Sequence, residues 1–180
     1  MTAHSGITTG STGGVESTLT DASATQELGR RLAQVLRAGD LVILTGDLGA
    51  GKTTLTQGIG EGLGVRGRVA SPTFIIAREH ARTGSGPGLI HVDAYRLGSI
   101  AEVDALDLDS SMAESVTVVE WGAGLVEGLA QDRLEIELER PRGVGEGSGT
   151  DVAEAAAADQ PRRVILRGVG ERWAGVDLPV

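Results

Sequence analysis

The chain has 180 residues, 40% of them hydrophobic but only 2% aromatic, no cysteine, and a formal net charge of −9. One aliphatic core suits that length, while a disulfide framework, a cysteine zinc site and a thiol nucleophile are excluded. The acidic balance argues against a direct, tight nucleic-acid binder, which carries a basic footprint.

Residues 1–14 are rich in Ser, Thr and Gly and are expected to form a disordered tail, with 15–180 as a single domain. Residues 15–20 alternate and suit an edge strand. Asp21 is placed to cap a helix over 24–36, where Ala24, Leu28, Leu32, Val35 and Leu36 recur at helical spacing and Gly39 ends the element. A short β-branched strand, 40–45, comes next, and then Gly46-Asp47-Leu48-Gly49-Ala50-Gly51-Lys52-Thr53. Residues 52–63 are expected to be helical, with Gly64 as the stop. Pro72 forces extended backbone before a strand-like run, and 89–93 and 116–120 are apolar strands that each end in a carboxylate, Asp93 and Glu120. Short helical stretches are expected at 99–106 and 110–115. Alternation over 133–138 argues a half-exposed strand, paired with another from Arg162. Between them, 141–160 holds Gly, Ala, Ser and acidic residues with little to pack, and is read as a flexible insertion.

Alternating helices and near-continuous apolar strands imply an α/β fold: a mostly parallel central sheet flanked by helices, with ligands at the carboxyl ends of the strands. The hairpin after residue 133 should add antiparallel strands at one edge. No apolar run reaches the length of a membrane span and no signal peptide opens the chain, so a cytoplasmic protein is expected.

The strand, glycine-rich turn and helix around residue 50 match the P-loop pattern, and Lys52 is the only lysine in the chain. Glycines at 46, 49 and 51 let backbone amides approach phosphate oxygens at the positive end of a helix. Lys52 supplies a point charge for the outer phosphates, and the Thr53 hydroxyl suits Mg²⁺, a hard cation. The expected ligands are therefore a nucleoside triphosphate and Mg²⁺, held by Gly46, Asp47, Leu48, Gly49, Ala50, Gly51, Lys52, Thr53 and Thr54. Such sites need a second acidic group at the end of a neighbouring strand. Asp93 and Glu120 both qualify; each can hold the metal or orient the attacking water, and spacing does not divide the roles. Thr73 reads as a switch-type sensor or as a strand-initiating turn, and Trp121 as core filler or as a lid on the site. His91 reads as a satisfied buried histidine rather than a catalytic one.

Gly-Asp-Leu-Gly-Ala-Gly-Lys-Thr-Thr (46–54), Ser-Pro-Thr-Phe (71–74), His-Val-Asp-Ala-Tyr-Arg-Leu (91–97) and Val-Glu-Trp (119–121) together resemble the bacterial TsaE (YjeE) family over about residues 20–140. The resemblance implies that the nucleotide is ATP and that the chain is a weak P-loop ATPase serving threonylcarbamoyladenosine formation in tRNA. Its implied partners are TsaB and TsaD, of which TsaD performs the transfer, with tRNA met only through that complex. By motif, Lys52 and the loop backbone hold the phosphates, Thr53 and Glu120 are the implied Mg²⁺ ligands, and Asp93 is the catalytic aspartate. Trp121 lies beside the metal, the segment around Asp21 approaches the adenine, and Arg162 or Arg163 reaches the nucleotide from the last hairpin. The amino-terminal tail, the insertion at 141–160 and Phe74, where tyrosine is expected, depart from the pattern. The leading expectation is a nucleotide-driven switch; the alternative is a small-molecule kinase with the same core.

Overall fold

Leu41, Val42, Ile43 and Leu44 are all buried, although alternate residues of a strand point to opposite faces. Their strand must therefore be covered on both sides. In the computed structural model, which describes residues 14–71, 76–105, 109–140 and 160–180, this strand (β2, Leu41–Thr45) lies in the middle of a seven-stranded sheet. Val42 and Leu44 join one core with Leu28, Leu32, Leu55 and Ile59. Leu41 and Ile43 join a second core with Ile90, Val92, Leu97, Val103 and Val126.

The first core is roofed by two helices. In α1 (Ala22–Leu32), the Asp21 side chain accepts from the Ala24 amide at 2.8 Å and caps the helix as expected. The helix α2 (Lys52–Leu63) begins after Gly51 and ends at Gly64, which takes the left-handed conformation (φ 67°). α1 stops at Leu32, short of the expected Leu36. From Gln34 on, amides reach back three residues as well as four, tightening the chain towards Gly39 (φ 89°), while Leu36 still packs in the core.

The remaining strands are β1 (Val15–Leu19), β3 (Ala77–His80), β4 (Gly88–Asp93), β5 (Ser115–Glu120), β6 (Arg133–Glu139) and β7 (Arg162–Val169). Short helices α3 (Ile100–Asp104) and α4 (Asp109–Met112) lie between β4 and β5. The sheet order is β1-β7-β6-β2-β5-β4-β3. The inner run β6-β2-β5-β4 is parallel, and the antiparallel pairs are β1·β7, β6·β7 and β3·β4.

This corrects two expectations. The β6–β7 hairpin is not the edge of the sheet: β7 offers its outer side to β1, whose alternating residues gain a full antiparallel register, Val15 opposite Leu166 through Leu19 opposite Arg162. Nor do helices flank the two faces equally. Beyond β2, the face opposite α1 and α2 carries ion pairs instead, Arg133 with Glu135 at 2.8 Å and Arg163 with Glu16 and Glu139. The expectations for the tail over 1–13, for Thr73 and Phe74, for residues 106–108 and for the insertion over 141–159 lie outside the described residues. Among the described residues, no helix is long and apolar enough to cross a membrane.

Candidate functional site

The parallel strands bring the two carboxylates together. β4 and β5 run in register so that Asp93 lies opposite Glu120, and Glu120 lies opposite Leu44 at the end of β2. The loop 46–51 leaves β2 at that same end and turns into α2. Gly46, Gly49 and Gly51 all have positive φ (144°, 74° and 105°). At Gly51 the requirement is double: the left-handed backbone disfavours any side chain, and a Cβ would lie 3.2 Å from Nε of Arg162.

Lys52 is 5% exposed. Its Nζ donates to the carbonyls of Gly46 (2.7 Å) and Asp47 (2.9 Å) and stands 4.0 Å from the centre of the Trp121 ring. Burial pulls its pKa below the usual lysine value, against the opposing charges of Glu120, Asp93 and Asp47. Next to it, Thr53 Oγ1 donates to Glu120 Oε1 at 3.0 Å. The same oxygen lies 2.8 Å from His91 Nε2. Asp93 Oδ1 accepts from the Tyr95 amide at 3.0 Å. Trp121 follows Glu120 with φ 61° and meets the edge of Tyr95, the ring centres 5.3 Å apart. The Trp121 ring therefore sits over the cation as a wall of the site, not as core filler.

A cleft of about 280 Å³ opens here, lined by Leu48, Gly49, Gly51, Lys52, Thr53, Thr54, Ser71, Asp93, Glu120, Trp121 and Arg162. Ten of these eleven are residues singled out from sequence; Ser71 is the addition. Arg162 enters from the start of β7. It is 4% exposed, and its pKa is lowered chiefly by burial, with the like charge of Arg140 adding and Asp21 opposing. Its neighbour Arg163 points away, to Glu16 and Glu139. Three of the expected loop residues do not line the cleft: Ala50 is fully buried, while Gly46 and Asp47 contribute the carbonyls that hold Lys52. Asp21 also stays outside it, occupied as the cap of α1.

His91 and Tyr95 were missed as parts of the site. The signal for His91 lay in strand periodicity: it is two residues before Asp93 and so shares its face. Among the described residues, no group of three or more His, Cys, Asp or Glu side chains is placed to hold a metal on its own. A hydroxyl beside a single carboxylate is instead a hard-oxygen pair of the kind Mg²⁺ uses when substrate phosphates complete its shell.

Residues 19–145 match the sequence family described as threonylcarbamoyl adenosine biosynthesis protein TsaE. The chain belongs to the TsaE family. The family match takes in every site residue above except Arg162. Among its relatives, the tRNA threonylcarbamoyladenosine biosynthesis protein TsaE of Streptomyces coelicolor is 58% identical over 156 residues, spanning 86% of this chain and 97% of its own length. The TsaE protein of Mycobacterium tuberculosis is 47% identical over 73% of this chain and 82% of its own. That of Bacillus subtilis is 36% identical over 83% of this chain and 82% of its own. The crystal structure of YdiB from Bacillus subtilis superposes with a TM-score of 0.63 at 30% identity, covering 89% of each chain.

Proposed function

We propose that this chain is a P-loop ATPase whose Mg²⁺-dependent nucleotide cycle acts as a switch on the TsaB/TsaD transferase that forms threonylcarbamoyladenosine in tRNA. The observation that carries the reading is the Thr53–Glu120 hydrogen bond beside Lys52 at the mouth of the 46–51 loop. It joins the hydroxyl and carboxylate that Mg²⁺–nucleotide sites require to the cation that meets the outer phosphates. Family membership supports the pathway.

In this reading the amides of residues 46–54 receive the phosphates, and Lys52 and Arg162 offset their charge. Thr53 and Glu120 hold Mg²⁺, which when bound neutralises charge on the outer phosphates. Asp93, opposite Glu120, orients the attacking water and takes its proton. Trp121 shields Lys52 from solvent. Thr73 senses the outer phosphate and Asp21 lies towards the adenine end. TsaD carries out the transfer itself, and tRNA is met through the complex, in the cytoplasm.

The test is ATP hydrolysis measured with and without purified TsaB, TsaD and tRNA. The partner proteins should stimulate turnover. Lys52→Ala should abolish nucleotide binding, and Asp93→Ala and Glu120→Ala should keep the fold and lose about 10²-fold or more in turnover. Wild-type turnover in both carboxylate variants would overturn the assignment.

A further inference from the structure

Glu120 Oε1 is held from two directions. Thr53 Oγ1 on α2 donates to it at 3.0 Å, and His91 Nε2 on β4 lies 2.8 Å away. His91 is fully buried and Glu120 is 4% exposed. The other ring nitrogen, Nδ1, is buried without a hydrogen-bond partner. A proton on Nδ1 would be an orphaned donor, a cost of about 1–3 kcal/mol. The ring therefore carries its proton on Nε2 and donates it to the carboxylate.

A carboxylate tied only to a threonine hydroxyl can swing about its terminal torsion, which is broad. With a second donor on the same oxygen, from a rigid strand on the other side, the group is fixed before any ion arrives. We propose that His91 is a positioning residue: its Nε2–H presets the Glu120 carboxylate so that Thr53 and Glu120 present one ready-made oxygen pair to a divalent cation. This rests on the Mg²⁺–nucleotide reading above. Groups that orient a metal ligand change metal affinity by about 10–100-fold when removed.

The experiment measures binding of a fluorescent ATP analogue across a Mg²⁺ titration, and again in excess EDTA, with thermal melting as the check on folding. His91→Met fills the space without a donor, and His91→Gln returns an N–H at similar reach. H91M should raise the Mg²⁺ concentration for half-maximal binding by about 10–100-fold and leave the EDTA affinity unchanged. H91Q should restore most of the wild-type Mg²⁺ dependence. If H91M does not fold, H91L, which likewise has no donor, takes its place against H91Q. Wild-type Mg²⁺ dependence in the folded donor-less variant overturns the proposal, as does a deficit in H91Q equal to it. Failure of the wild-type chain to bind the analogue at any Mg²⁺ concentration is a different result: it removes the nucleotide reading, and this proposal with it.

Discussion

Trp121 holds a left-handed backbone that a bulky side chain rarely adopts, and such strain costs on the order of 1–3 kcal/mol. The ring over Lys52 is what the strain accompanies. Sequence leaves Trp121 undecided between core and lid because nothing local marks a positive φ at a non-glycine residue. Lys52, Thr53 and Glu120 are legible because fixed spacing and strand ends define them. Arg162 and Arg163 are not separable by spacing; only strand pairing shows which one turns to the cleft. A different buried base, His80, gives a test at this scale. Burial pulls its pKa below the usual histidine value, a hydrogen bond with the Arg66 backbone opposes the shift, and the positive charge of Arg78 adds to it. The unfolded chain protonates this ring at about pH 6.5, the folded chain only at lower pH. Its stabilising contribution is therefore complete above about pH 6.5 and is lost as pH falls through the folded value. Urea midpoints between pH 7.5 and 5 should decline more steeply for wild type than for His80→Gln, by at most about 1.4 kcal/mol per pH unit. Parallel curves would refute the assignment.

The contact between α1 and α2 sets where the site begins, because α2 carries both Lys52 and Thr53 in its first turn. The two helices touch backbone to backbone: a Cβ at Gly58 would lie 2.1 Å from the Gln26 carbonyl oxygen. Helix propensity alone favours alanine there by about 1 kcal/mol. The collision is with main chain, which cannot rotate away, so it should win. Gly58→Ala is expected to destabilise the protein by about 1–3 kcal/mol and to weaken nucleotide binding by tilting the loop. An unchanged or higher urea midpoint would show that the helices part freely. The surface pairs across the same seam, Arg30 with Glu61 at 2.9 Å and Gln26 with Glu61 at 2.7 Å, are exposed and add little. Sequence reads α2 from Lys52 to its glycine stop because both ends have local signals. The close approach at Gly58 depends on a residue 32 positions earlier and carries no local mark.

For the whole molecule, the alternation of strands and helices reveals the parallel centre of the sheet, and the half-exposed pattern of 133–138 reveals the ion-paired face. The alternation within β1 marks it as an edge strand, which it is, but not which neighbour it borders, since five alternating residues suit either side of a hairpin. That place has energetic weight. Leu19, at the end of β1, is 3% exposed and packs in the core beneath α1 and α2. A chain beginning at residue 20 should lose about 2–5 kcal/mol of stability, the cost of an emptied leucine site. It should also leave the outer side of β7 unpaired, an open edge that invites association. Urea denaturation and concentration-dependent light scattering check both. A truncated chain that is monomeric and as stable as wild type would show that β1 is ornamental.

The antiparallel match of Val15 to Leu166 and Leu19 to Arg162 also orders events in time. A ribosome delivers β1 long before β7, so the earlier strand waits through the synthesis of every other strand of the sheet without its neighbour. The central parallel ladders can assemble around Lys52 while synthesis continues. The final zip is made only once β7 has emerged, and the growing protein must reach that point with one border still unsealed.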